Sequence, residues 1–413
     1  MANNELINLG DHYVSDFVPA DFDYSNLKKY PLNLLYSEEL DCPVLGCQPP
    51  KEMMWGKYWY RSSVNPMMVT ALKDIVDSIQ SCIKFQEGDV WLDIAANDGT
   101  MLSFVDSKFT KVGIDPVEGE IHESCKRNAN HVCQDYFTRS SYENIGLGKK
   151  AKVVTCIAMF YDLQNPHEFI NDVVNVMDDE GVFVLQLSYT PLMIKQLAFD
   201  NIVSEHYAYH SLSSVEKIAE SQGLKVIDVE LNDVNGGSIR VYLRKNSANE
   251  ENWSTKQWRD VSSIRYESLK HWENEFYNPI EDWKAFSERL EDLKTRLYDF
   301  VKSEKEAGKS IWAYGASTKG NTLLQYFNLD HTLIDGVAER SEFKYGLRTI
   351  GTHIPIHSEK EMREAKPDYL IILPWHFVKE FGERESEYLN NGGKFIVPCP
   401  ELVMFTKDGY TQI

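Results

Sequence analysis

At 413 residues, with 43% apolar and 26% charged residues, the chain has the composition of a globular protein too long for one core, so two or three domains are expected. A formal net charge of −20, with no stripe of Lys and Arg, excludes a general duplex-binding surface; an anionic small molecule needs only a local cation. No apolar run approaches membrane-spanning length, and the opening MANNELINLG lacks the basic and apolar regions of a signal peptide, so a soluble, cytoplasmic protein is expected.

Residues 1–66 carry several prolines and aromatics and read as a small irregular lobe that covers a substrate. Seven scattered cysteines suit reduced thiols better than a disulfide framework. Cys42 and Cys47 are near one another, but a closed zinc site needs four ligands, and His12 is the other candidate in this segment. A helical pattern runs from Asn65 to about Cys82. Strand-like runs follow at Val90–Ile94, Lys111–Asp115, Lys152–Ala158 and Gly181–Leu187, separated by helix-length segments, which predicts a parallel sheet with helices on both faces. Two further runs, Leu224–Leu231 and Ser238–Leu243, are joined through Asn235-Gly236-Gly237, a turn that permits an antiparallel hairpin. A parallel sheet closed by such a hairpin is the arrangement of class I methyltransferases, and domain 67–250 is read so.

Beyond Lys245 the chain is polar and helical. Trp283, Phe286, Leu290, Leu293, Leu297 and Phe300 recur at three- and four-residue spacing and define a packing face. A second α/β unit completes domain 251–413, with strands expected at Ser310–Gly315, Leu333–Glu339, Asp368–Pro374 and Lys394–Pro398. Its first strand ends in WAYGASTKGNTLL, a glycine turn that opens a helix whose backbone N–H groups can hold a phosphate.

The first crevice, VWLDIAANDGTML, has alanines where a dinucleotide fingerprint needs glycines, which favours S-adenosylmethionine over NAD. Asp93 ends its strand, and Gly99 closes the turn. Asp115 ends the next strand about twenty residues on, where a carboxylate accepts from both ribose hydroxyls. Asn97 and Asp98 are placed at the methionine amino group, and Asp135, Tyr136 and Phe137 beside the adenine. The same acids and amides also suit helix caps.

These residues carry a family resemblance. INLGDHYVSDF near the start, KYWYRSS at 57–63, DIAANDGTML at 93–102, FDNIVSEHYAYHS at 199–211, NGGSIRVYL at 235–243 and YGASTKGNTLL at 314–324, with HIPI and PDYLIILPWH beyond, occur in order over nearly the whole chain. The chain resembles the three-domain sugar C-methyltransferases, including the tetronitrose and mycarose C3-methyltransferases, which methylate a carbon of a nucleotide-linked keto-deoxysugar. The resemblance implies that Glu205 and His206 match the family's Glu-His pair, with His206 as general base, and that Tyr60 contacts the sugar or its enolate. Carbon becomes nucleophilic only after a proton beside a carbonyl is removed, so a base and a donor to the enolate oxygen are both required.

Two departures bear on that mechanism. Tyr161 stands where relatives place a second active-site histidine, and Val203 stands where tyrosine is expected. They motivate O- or N-methylation, or a non-catalytic nucleotide-sugar-binding protein, as alternatives. The family's zinc lobe uses paired Cys-x-x-Cys ligands; Cys42 and Cys47 lack such partners, so no metal is expected. The second crevice is expected to take the nucleotide diphosphate through Gly315, Ser317, Lys319, Gly320 and Asn321, with Glu339 at a nucleoside hydroxyl and Trp375 and His376 as a second wall.

Overall fold

The computed structural model describes residues 4–50, 53–54, 60–249, 251 and 255–413. The start of the KYWYRSS motif lies outside the described residues.

The amino-terminal segment is not irregular. β1 (Glu5–His12), β3 (Tyr30–Ser37) and β4 (Cys42–Leu45) form an antiparallel sheet, and the short β2 (Phe17–Val18) lies apart from it. Prolines and register shifts disguise the alternation: Ile7 and Leu9 of β1 and Leu32 and Leu34 of β3 are buried while their neighbours are not.

The helix Pro66–Cys82 follows, capped by Asn65, whose side chain accepts from the Met67 N–H, and it buries Leu72, Ile75, Val76 and Ile79 along one face. The central sheet comprises β5 (Val90–Ile94), β6 (Thr110–Ile114), β7 (His131–Cys133), β8 (Ala151–Ile157), β9 (Met177–Ser188), β10 (Leu224–Asn232) and β11 (Ser238–Lys245). Their spatial order is β10-β11-β9-β8-β5-β6-β7, with β5 to β9 parallel and β11 antiparallel to both neighbours. This is the class I methyltransferase arrangement. All five residues of β5 are buried, as a central parallel strand covered on both faces requires. The expected hairpin forms, with Asn235 left-handed at φ 54° in its turn.

Helix Pro279–Glu306 buries the expected stripe, which continues through Val301 rather than Phe300; Phe300 is only partly buried. The carboxy-terminal unit contains β12 (Ile311–Tyr314), β13 (Gly336–Glu339), β14 (Arg348–Thr349), β15 (Ile356–Ser358), β16 (Tyr369–Ile372), β17 (Lys394–Val397), β18 (Val403–Thr406) and β19 (Gly409–Gln412). Seven of these form a sheet ordered β15-β13-β12-β16-β17-β18-β19, parallel except for the final hairpin. The remaining strand, β14, pairs with β2 from the other end of the chain.

That pairing is part of a broader union. Ile7, Leu9, Phe17, Leu32 and Leu34 share one hydrophobic core with Trp283, Leu290 and the strands of the carboxy-terminal sheet. Asn321 reinforces it, its Nδ2 donating at 2.9 Å to both the Ser15 hydroxyl and the Asp16 carbonyl. Asn321→Ala should therefore destabilise the protein by about 1–2 kcal/mol, read as a fall in denaturant midpoint. An unchanged midpoint would show that these bonds do not hold the two segments together.

All seven cysteines are free. Among the described residues, no cluster of three or more His, Cys, Asp and Glu could hold a metal ion, and no helix is long and apolar enough to cross a membrane.

Candidate active site

The first crevice opens where β5 gives way to a strained turn. Ala95 and Asn97 have φ of 60° and 48°, and Gly99 has φ of 74°. A Cβ on Gly99 would sit 2.9 Å from the Cys125 Cα, so both conformation and space require glycine. Asp115 closes the turn from the end of β6: one carboxylate oxygen accepts from the Asn97 N–H at 2.7 Å and the other from Val117 N–H at 2.9 Å. Burial raises its pKa, and those two bonds oppose the shift. Each oxygen retains a lone pair, which fits a ribose diol. Asp115→Ala should weaken S-adenosylmethionine binding by about ten- to a hundredfold in calorimetry, the cost of losing a charged acceptor and loosening the turn it grips. Unchanged affinity would place the cofactor elsewhere.

Asn97 and Asp98 have partners other than those expected. Asn97 Oδ1 accepts from the Ser62 N–H at 3.1 Å and Nδ2 donates to the Tyr60 carbonyl at 3.2 Å. Asp98 accepts from the Ser63 N–H at 2.9 Å and from the Thr100 hydroxyl at 2.6 Å. Burial opposes ionisation of Asp98, but bonds from Thr100 and Ser63 prevail and hold its pKa below the usual carboxylate value. These side chains pin segment 60–63 over the crevice. Asp93 likewise faces inward: it is buried, accepts from the Thr155 hydroxyl at 2.8 Å, and burial raises its pKa to about 8. Asp135 and Tyr136 are exposed beyond β7, while Phe137 packs edge-on against Phe169 at 5.4 Å.

The Glu-His pair lies where the segment after β8 meets the loop before helix Leu212–Ser221. Ala158, left-handed at φ 55°, turns the chain into Phe160–Asp162, and the Ala208 N–H bonds to the Tyr161 carbonyl at 2.8 Å. This brings the Tyr161 ring 4.3 Å from the His206 ring, centroid to centroid. His206 Nδ1 contacts the Asn201 carbonyl at 2.8 Å. A carbonyl only accepts, so Nδ1 carries the hydrogen and Nε2 presents a lone pair. Burial, followed by the Lys319 ammonium, pushes the His206 pKa down to about 3. Burial raises Glu205 to about 7, and its Oε2 is buried without a hydrogen-bond partner.

Sequence reasoning passed over Asp162. Its Oδ1 is likewise buried and unpartnered, and burial together with the Glu205 charge raises its pKa well above the usual value. An acid after a tyrosine reads as a helix cap, and only the fold sets it near Glu205. Tyr60 is 42% exposed, and its carbonyl accepts from Asn97 Nδ2 at the first crevice.

The second crevice repeats the plan of the first. Gly315, at φ 90°, passes Pro374 so closely that a Cβ would lie 2.7 Å from its ring. Glu339 closes the turn as Asp115 does: it accepts from the Ala316 N–H at 2.8 Å on one oxygen and from Arg340 and Ser341 on the other. Ser317 caps helix Thr318–Tyr326, accepting from the Gly320 N–H at 3.0 Å. The N–H groups of Thr318 and Lys319, in the first turn, have no intrahelical acceptors. Gly320 packs against Leu373, and Asn321 binds the amino-terminal segment, so its side chain has a structural role instead of the expected phosphate contact.

Lys319 reaches from the second crevice to the His206 loop. Its ammonium donates to Asn201 Oδ1 at 2.5 Å, linking the carboxy-terminal unit to the loop that bears His206. Trp375 Nε1 donates to Asp200 at 3.2 Å, and its ring lies over the hairpin turn, 3.5 Å from where a Gly236 Cβ would stand. His376 Nδ1 is buried without a partner; burial, then Lys319, pushes its pKa to about 3.

Comparison with known proteins places this geometry in a class. A methyltransferase-domain family matches residues 70–229, and the family described as the C-methyltransferase C-terminal domain matches residues 233–400. The strand order is that of a class I methyltransferase. The chain is 28% identical over 351 residues to the C-methyltransferase NovU of Streptomyces niveus, covering 85% of this chain and 81% of that one. The two matched families and this relative make the chain similar to S-adenosylmethionine-dependent C-methyltransferases. Solved structures similar to it include an S-adenosylmethionine-dependent methyltransferase from Clostridium acetobutylicum, at 14% identity and TM-score 0.32, covering 43% of this chain and 92% of that one. Another is magnesium protoporphyrin IX methyltransferase from Synechocystis, at 12% identity and TM-score 0.31, covering 43% and 78%.

Proposed function

We propose that the enzyme methylates a carbon next to the ketone of a nucleotide-linked keto-deoxysugar, through an enolate formed by His206. The observation that carries this reading is the pinned imidazole: Nδ1 is fixed on the Asn201 carbonyl, Nε2 is left as a base, and the Tyr161 ring lies 4.3 Å away. Similarity to C-methyltransferases favours carbon over the oxygen and nitrogen routes.

His206 Nε2 takes the α-proton, and the C–H electron pair passes into the enolate, whose oxygen accepts from the Tyr161 hydroxyl, with Tyr60 as a second contact to the sugar. Bound S-adenosylmethionine supplies the electrophilic methyl group, held by Asp115 and the Asn97–Gly99 turn, with Tyr136 and Phe137 flanking the adenine and Asp135 at its edge. Burial raises Glu205 to about 7, so its protonated form is present near neutral pH and with Asp162 it offers a hydrogen-bond donor to a sugar oxygen. The diphosphate lies on Lys319 and the free N–H groups of the Thr318–Tyr326 helix, beside His376 and Trp375, with the nucleoside toward Glu339.

The test is incubation in deuterated water with nucleotide-linked keto-sugars of differing base and sugar, with and without S-adenosylmethionine. Deuterium at the α-carbon without methyl donor, and a carbon-methylated product with it, are expected by mass spectrometry and NMR. A product methylated on oxygen or nitrogen, without α-exchange, would sink the enolate route.

A further inference from the structure

Asn201 holds two groups at once. Its carbonyl oxygen accepts the His206 Nδ1 hydrogen at 2.8 Å, and its side-chain Oδ1 accepts from the Lys319 ammonium at 2.5 Å. The residue is only 3% exposed, and its Nδ2 donates to the Ala198 carbonyl at 3.2 Å, so it has little freedom to let one partner move alone. Other charged or titratable groups surround this link. Asp200 faces Lys319 from the same turn and is held by Trp375; His376 approaches from the carboxy-terminal unit; the Tyr161 ring faces His206, the Tyr209 hydroxyl donates to the Asn201 carbonyl at 3.4 Å, and Glu205, next to His206 in the chain, has Asp162 near it.

A cation beside an imidazole disfavours the imidazolium, and an anion laid on that cation relieves the effect. We propose that Asn201 is a positioning residue that couples the second crevice to the Glu205–His206 site, tethering Lys319 to the His206 turn so that a diphosphate on the ammonium makes His206 a stronger base. The inference rests on the nucleotide-sugar reading of the second crevice. Its consequence is that proton abstraction is favoured only when the anionic end of the substrate is seated. The electron bookkeeping is unchanged: the α-proton moves to Nε2 and its bonding pair to the enolate. The burial of Lys319 and the Lys319 contribution at His206 agree with this geometry.

The experiment uses the full chain with 15N-labelled histidine, the His206 signals being assigned from His206→Asn, and uridine diphosphate as the probe. In the free protein, Lys319→Met and Asn201→Asp should each raise the His206 titration midpoint by about one pH unit or more, the first by deleting the charge and the second by pairing it. Uridine diphosphate should move the parent signal the same way and add little in Lys319→Met. Asn201→Ala keeps the carbonyl that holds His206, so it should lower kcat by about tenfold with little change in KM and should lose the nucleotide-induced shift. Asn201→Asp preserves the side-chain shape and serves if the alanine variant folds poorly. Absence of uridine diphosphate binding in calorimetry would overturn the nucleotide reading and the coupling to an anion together. Binding that leaves the His206 titration unmoved in the parent, with Lys319→Met also unmoved, would overturn the coupling alone.

Discussion

His206→Asn is expected to lower turnover by about a hundredfold or more while leaving S-adenosylmethionine affinity nearly unchanged, because it deletes the proton acceptor without touching the β5 turn. Single-turnover kinetics and calorimetry on the same sample check both halves. The pH dependence has a definite sign. A solvated imidazole titrates near 6.5, but burial and Lys319 lower this group to about 3. In the proposed mechanism the base is the neutral form, so it is available above about 3, and the ascending limb is expected in acid rather than between pH 6 and 7. The unfolded imidazole binds its proton near 6.5, so the stability contribution of this site is present above that pH and is lost as pH falls toward about 3. A parent profile rising through pH 6 to 7 and abolished by His206→Asn would mean that the site opens to water in the working enzyme. Parent-level turnover in the variant would remove His206 from the mechanism and leave Tyr60 or Glu205 as the base.

The second large effect is expected at Tyr161. Tyr161→Phe keeps the ring that packs beside His206 and deletes only the hydroxyl, so it should reduce kcat by up to on the order of a thousandfold, the scale of an oxyanion-hole donor, with KM little altered. The two substitutions separate by their exchange behaviour. Loss of the base should abolish α-proton exchange, while loss of the donor should slow exchange and methyl transfer together. A phenylalanine variant with normal kcat and raised KM would make Tyr161 a binding residue instead.

Much of the framework was legible because buried parallel strands announce themselves as short apolar runs: β5, β8, β12 and β16 were recognisable within a residue or two at each end. β7 and β14 were not, since strands of three and two residues carry no period. The amino-terminal sheet was hidden by its bulges and prolines, and its place in the carboxy-terminal core depends on contacts between distant segments. Asp115, Glu205 and His206 were selected as candidates from strand ends and motif. The internal duties of Asn97, Asp98 and Asn321 were not, because an amide or carboxylate reads alike whether it meets a ligand or a backbone N–H. Asn201 stood inside the FDNIVSEHYAYHS motif without a signal of its own; what distinguishes it is Lys319, supplied by another domain.

The β2–β14 pairing sets a schedule for synthesis. Phe17 and Val18 emerge early from the ribosome, yet their partners Thr349 and Arg348 follow only about 330 residues later, roughly 15–70 s at ordinary elongation rates. For that interval the apolar strand must wait, shielded or exposed, while the methyltransferase sheet has all its own strands and can close without it. A nascent chain arrested before residue 340 should therefore hold a protease-resistant centre and a cleavable amino terminus, and release past the last strands should protect both ends at once.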